Sequence, residues 1–143
     1  MIICGDSPVE GTGVTKGYEM VRNVGCCHCG AVQFEVELDE DFQELRRCDC
    51  SFCRKRWAVM VCVPVENLKV PKESDVLTRY QWGTKVAEHY FCSVCGICTH
   101  HRRRSDPTQF GLNIACFDDV NVRDYMTVPF GGAKSDPSQI EPG

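Results

Sequence analysis

Residues 25–38 read GCCHCGAVQFEVEL, and two structural signals meet in that stretch. Its second half alternates Val32, Phe34, Val36 and Leu38 with Gln33, Glu35 and Glu37, the period of two that belongs to a half-buried strand. Its first half sets cysteines at 26, 27 and 29 directly before Gly30. A second tight turn of this kind, CSVCG, occupies 92–96. Two thiolates on a tight turn fit one tetrahedral metal, and the following glycine lets backbone amides approach the sulfurs. A redox reading of Cys92-x-x-Cys95 would want a helix N-terminus in a βαβ setting, which the pattern around it does not offer. The two turns, far apart in the chain, therefore predict a four-cysteine zinc staple that ties an N-terminal loop to a hairpin.

The same period of two runs through the rest of the chain. WAVMVCVPV at 57–65 is apolar on both faces, a strand covered on both sides until Pro64 interrupts its ladder. VLTRYQW and VAEHYF flank GTK, and GICTHHRR and QFGLNIACF flank RSDPT, which predicts two hairpins. The one helical suggestion is EDFQELRR at 40–47, about two turns long. The expected fold is all-β, built of twisted antiparallel sheets. We expect an N-terminal extension over 1–22, a zinc-binding β domain over 23–130, and a flexible tail over 131–143.

With 143 residues the chain is expected to bury a core without disulfides, so its twelve cysteines need another explanation. The opening MIICGDSPVE has no basic stretch before an apolar run, so a secretory signal is not expected and the reading is a reducing cytoplasm. No apolar run approaches membrane-spanning length. A formal net charge of −4 argues against nucleic acid as a partner.

One segment departs from that acidic balance. RRCDCSFCRKRW at 46–57 carries Arg46, Arg47, Arg54, Lys55 and Arg56 against Asp49 alone, around Cys48, Cys50 and Cys53. Cationic neighbours favour the thiolate, the form that binds metal or attacks an electrophile. Three sulfurs so closely spaced can reach one centre, one ligand short of a closed tetrahedral site. His28, His89, His100, Cys62, Cys98 or Cys116 could close it, and otherwise the position is open to water or substrate. Cys62 and Cys116 read as small buried hydrophobes in strand settings, while Cys98 stands on the strand that leaves the second cysteine turn.

GCCHCGAVQFEV, CDCSFCRK, YFCSVCGICTHH and FGLNIACFDD together resemble the glutathione-dependent formaldehyde-activating enzyme family, which includes the centromere protein V group. The likeness runs over about 25–119. It implies an Mss4-like β-tent, two zinc ions, and a carbon-sulfur lyase activity that joins formaldehyde to glutathione as S-(hydroxymethyl)glutathione. Carried over, it puts a structural zinc on Cys27, Cys29, Cys92 and Cys95 and a labile, catalytic zinc on Cys48, Cys50 and Cys53. Cys26 stands where a small residue is expected, so the first pair can also be drawn as Cys26 and Cys29. Trp57 likewise replaces something small and could narrow the mouth of the second site.

The residues suit this chemistry on their own terms. A zinc held by three thiolates is anionic, and Arg54, Lys55 and Arg56 would offset it while attracting glutathione, whose thiol could take the open position and add to an aldehyde. The rival reading is a zinc-dependent binding module in which the basic run and HHRRR at 100–104 contact phosphates or a protein, without turnover.

Overall fold

The computed structural model describes residues 20–39, 42, 45–72 and 75–131. Among the described residues, ten strands form two sheets in an all-β arrangement, as expected. β1 (Met20–Cys26), β2 (Gln33–Asp39) and β5 (Leu68–Lys72) make a three-stranded antiparallel sheet in the order β1-β2-β5. The larger sheet adds β3 (Leu45–Cys48), β4 (Met60–Pro64), β6 (Leu77–Tyr80), β7 (Glu88–Cys92), β8 (Cys98–Arg102), β9 (Gln109–Asn113) and β10 (Phe130–Gly131). Its order is β10-β3-β4-β9-β8-β7-β6. Both expected hairpins are present, with Tyr80 opposite His89 in one and Arg102 opposite Phe110 in the other. β10 pairs with β3 in parallel, so the larger sheet is mixed rather than wholly antiparallel.

Alternation along β2 explains the core. Phe34, Val36 and Leu38 face inward and meet Val61 and Val63 of β4, Leu112 of β9, and Ile114 and Phe117 beyond it. Phe34 is wholly buried and packs edge-on against Phe117, with ring centroids 5.6 Å apart. Such aromatic pairs add about 0.5–1.5 kcal/mol beyond the area they bury.

The structure corrects three local readings. Leu45–Arg47, the end of the expected helix, is strand, since pairing of β3 with β4 overrides the good helix propensity of Leu and Arg; residues 40, 41, 43 and 44 lie outside the described set. β1 was hidden because Arg22 and Asn23 break the apolar alternation; Arg22 instead pairs with Glu35 across the strands. Cys116 sits in a 3-10 turn, Ile114–Cys116, capped by Asn113, whose side chain accepts from the Ala115 amide. The expected N-terminal extension, apart from Met20, Val21 and Arg22 in β1, lies outside the described residues, as does the expected tail beyond Gly131.

Gly25 stands opposite Phe34, and a Cβ there would come within 2.4 Å of the Phe34 ring. Because Phe34 has no free space in which to yield, Gly25→Ala should destabilise the fold by about 1–3 kcal/mol. Urea unfolding should show the loss as a lower midpoint with an unchanged slope; an unchanged midpoint would mean that the ring has room to move.

Candidate metal centres and active-site cavity

The two cysteine turns converge. Cys27 and Cys29, in the β1–β2 connection, meet Cys92 at the end of β7 and Cys95 in the turn to β8, with all four sulfurs within 4.8 Å of one another. The Cys27–Cys29 and Cys29–Cys92 sulfur separations are 3.6 and 3.7 Å. A tetrahedral zinc with bonds of about 2.3 Å would separate its sulfurs by about 3.8 Å, so the donor set fits such an ion. Gly30 and Gly96 take the left-handed conformation at φ 79° and 80°, which lets both loops turn back around the sulfurs. The Val32 amide donates to Cys27 Sγ at 3.3 Å, a bond that favours thiolate. Cys26 is buried on β1 outside this group, and His28 is exposed.

The second centre is assembled locally. β3 ends at Cys48, the chain turns through Cys50, and Cys53 opens a single helical turn, α1 (Cys53–Arg56). Their sulfurs also lie within 4.8 Å of one another. The Cys50 amide donates to Cys48 Sγ at 3.5 Å and the Cys53 amide to Cys50 Sγ at 3.3 Å. Hydrogen bonds from the Cys48 and Cys53 thiols pull the Cys50 thiol well below its ordinary range, whereas hydrogen bonds with Cys48 and Cys50, together with burial, push Cys53 up.

Among the described residues, none of the candidates for a fourth ligand joins this group. Cys116 donates to the Cys98 carbonyl at 3.6 Å, and Cys62 is half-buried on β4. His100 faces the core, stacked on Tyr90 at 4.6 Å, and burial lowers its pKa to about 4. Cys98 and His89 lie closer, but Arg56 stands between them and the sulfurs. It donates to Cys53 Sγ at 3.3 Å and Cys98 Sγ at 3.5 Å, and it contacts His89 Nδ1 at 3.1 Å.

The three sulfurs form part of the wall of a cavity of about 600 Å³. His89 and His101 line it, across from each other on β7 and β8, with rings 5.4 Å apart. Their strand neighbours Tyr90 and His100 face the core, because successive side chains point to opposite faces of the sheet. Room for His101 comes from Gly111 opposite it: a Cβ at that position would lie 2.3 Å from the imidazole Cε1.

Arg46, Arg47, Arg103 and Arg104 also line the cavity, and none of the described residues lining it is acidic. The Arg47 guanidinium lies against the adjoining rings of Trp57 and Phe130, 5.2 and 5.1 Å from their centroids, and donates to the Met126 carbonyl. Arg103 is held by two uncharged side chains, Gln109 and Ser105. Arg54 and Lys55 are exposed on α1 and do not line the cavity. Trp57 is 58 % exposed, packs against Arg47 and Phe130, and does not line the cavity. Sequence reading did not identify the arginine wall, because its members come from distant segments. Arg46 and Arg47 adjoin the cysteines, while Arg103 and Arg104 arrive through the β8–β9 connection.

Two thiol clusters of unequal closure, one of them opening on a basic cavity, mark a thiol-rich β protein with a small-molecule site. Residues 22–129 match the family described as glutathione-dependent formaldehyde-activating enzyme, and the chain belongs to that family. A crystal structure of a Rhodobacter sphaeroides protein is similar at 50% sequence identity with a TM-score of 0.72, covering 76% of this chain and 99% of that one. Among the described residues, no helix is long and apolar enough to cross a membrane.

The two centres should differ in what they hold up. Cys27→Ser should cost metal and fold together, because binding at a closed site is coupled to folding. Cys50→Ser should lower bound zinc by about one ion per chain and leave the far-ultraviolet dichroism unchanged. Unfolding of both variants would instead make both centres structural.

Proposed function

We propose that this chain is a carbon-sulfur lyase of the S-(hydroxymethyl)glutathione synthase type. In this reading it adds glutathione, or a similar anionic thiol, to formaldehyde or another small aldehyde. The observation that carries the reading is the three-sulfur centre opening on a cavity whose lining includes four arginines and no carboxylate. Family membership supports glutathione and formaldehyde as the substrates. The surroundings are the reducing cytoplasm, in which both clusters keep their thiols. A purely binding role leaves this combination of open sulfur centre and enclosed volume without a purpose.

Cys48, Cys50 and Cys53 would hold a zinc ion at the cavity wall and Cys27, Cys29, Cys92 and Cys95 a second one in the fold. Bound at the first centre, zinc supplies a position at which a substrate thiol is kept as thiolate. The remaining work belongs to the chain. Arg46, Arg103 and Arg104 bind the carboxylates of the tripeptide, and Arg47, held against its two aromatic neighbours, keeps the wall positive. Arg54 and Lys55 act from outside the cavity by drawing anions toward its mouth. The rings of Phe52 and Tyr80, stacked with centroids 5.3 Å apart, pack outside His89 and limit water on that side.

Exchange spectroscopy with carbon-13 formaldehyde and glutathione tests the activity directly: the zinc-loaded protein should speed interconversion of free and thiol-bound formaldehyde. Arg46→Gln combined with Arg103→Gln should raise the KM for glutathione about ten- to a hundredfold, the worth of a charged hydrogen bond. Cysteamine, which has no carboxylate, should be unaffected. Replacing Arg54 and Lys55 by Ala should lower kcat/KM at low salt and have little effect at high salt. Exchange no faster than in protein-free buffer would defeat the proposal.

A further inference from the structure

Taking the cavity as the thiol–aldehyde site, the geometry around Arg56 assigns a role to His89 that the cysteines cannot fill. Addition of a thiol to formaldehyde breaks the S–H bond and the carbon–oxygen π bond and forms a C–S bond and an O–H bond. The sulfur is provided for by the three-cysteine centre. The oxygen, which takes the π electron pair as the C–S bond forms, needs a hydrogen-bond donor of its own.

A guanidinium has donors and no acceptor. At 3.1 Å from Arg56 Nη1, His89 Nδ1 must therefore be the acceptor, and a neutral imidazole that accepts at Nδ1 carries its hydrogen on Nε2. The tautomer is thus fixed by the same side chain that donates through Nη2 to Cys53 Sγ. Several contacts hold Arg56 in that position. Cys98 Sγ accepts from Nη1 at 3.5 Å, and the Phe52 ring lies 5.3 Å below the guanidinium carbon. His89 is clamped in turn by the Phe52 ring at 4.3 Å on one side and the His101 ring at 5.4 Å on another. Burial and the Arg56 charge lower the His89 pKa to about 4, so the ring is neutral at physiological pH. It lines the cavity that the three sulfurs also line.

We propose that His89 Nε2–H is the hydrogen-bond donor that takes the aldehyde oxygen during C–S bond formation, and that Arg56 is the positioning residue that fixes this tautomer and couples it to Cys53. The proton lost by the thiol returns to the oxygen by way of water, and His89 keeps its own hydrogen throughout. The products are balanced: one thiol and one aldehyde give one hemithioacetal.

Nitrogen-15 spectra of the histidine side chains in the zinc-loaded, substrate-free protein should show His89 neutral, with hydrogen on Nε2 and an acceptor Nδ1. Arg56→Met should turn this into a mixture of tautomers. In the exchange assay His89→Phe should lower kcat about a hundredfold or more while leaving the KM for glutathione within about twofold, as expected when one oxyanion donor is lost. His89→Gln, whose amide can donate from nearly the same place, should recover much of that rate. The tautomer measurement needs no substitution at His89 and still tests the proposal if His89→Phe does not fold. Hydrogen on Nδ1 in the unsubstituted protein, or a kcat that His89→Phe leaves untouched, would overturn the role of His89 alone. Absence of any acceleration by the unsubstituted protein would overturn the reading of the cavity, and this inference with it.

Discussion

Convergence of four sulfurs from two distant turns is the constraint on which the other features depend. Cys27 and Cys29 belong to the connection within the small sheet, and Cys92 and Cys95 to the connection within the β7–β8 hairpin of the large one. Drawing them together fixes where β7 and β8 lie relative to β2. The wholly buried Val32 seals the cluster from the start of β2, and Phe34, two residues on, meets the main core. The four-sulfur cluster thus joins the two sheets at a point beyond the main apolar core.

With the hairpin fixed, strand alternation gives the site its chemistry. His100 and His101 are neighbours in sequence, yet one is stacked in the core on Tyr90 and the other lines the cavity beside His89. The short β3–α1 segment then brings its three sulfurs and Arg56 against that face. Among the described lining residues, the ionisable groups other than the sulfurs are arginines and neutral imidazoles, an environment that favours a bound anion over a free cation.

Much of this was legible in the sequence wherever the information was local. Cys48, Cys50 and Cys53 sit within one turn, so spacing alone brought them together, and the alternation of Val32, Phe34, Val36 and Leu38 named β2 and its buried face. Leu45–Cys48 was misread because a strand of four residues shows too little period to outweigh its helix-forming composition. Arg54 and Lys55 were favoured by proximity to the cysteines, but α1 turns them to solvent, and a single helical turn has no amphipathic pattern from which that could be foreseen. The Arg56–His89 contact depends on how α1 lies against β7, and that placement is tertiary.

The parallel pairing of β10 with β3 has a practical side. Phe130 lies opposite Arg47 and Gly131 opposite Cys48, so the last described residues brace the strand that carries the first sulfur of the open centre. The Phe130 ring also helps hold the Arg47 guanidinium at the cavity wall. A truncation that removed Phe130, or a rigid fusion joined directly at Gly131, would reach the three-cysteine turn within one strand spacing although it lies more than eighty residues away along the chain. A shortened form of the chain should therefore keep Phe130 and Gly131, since β10 is part of the site's framework.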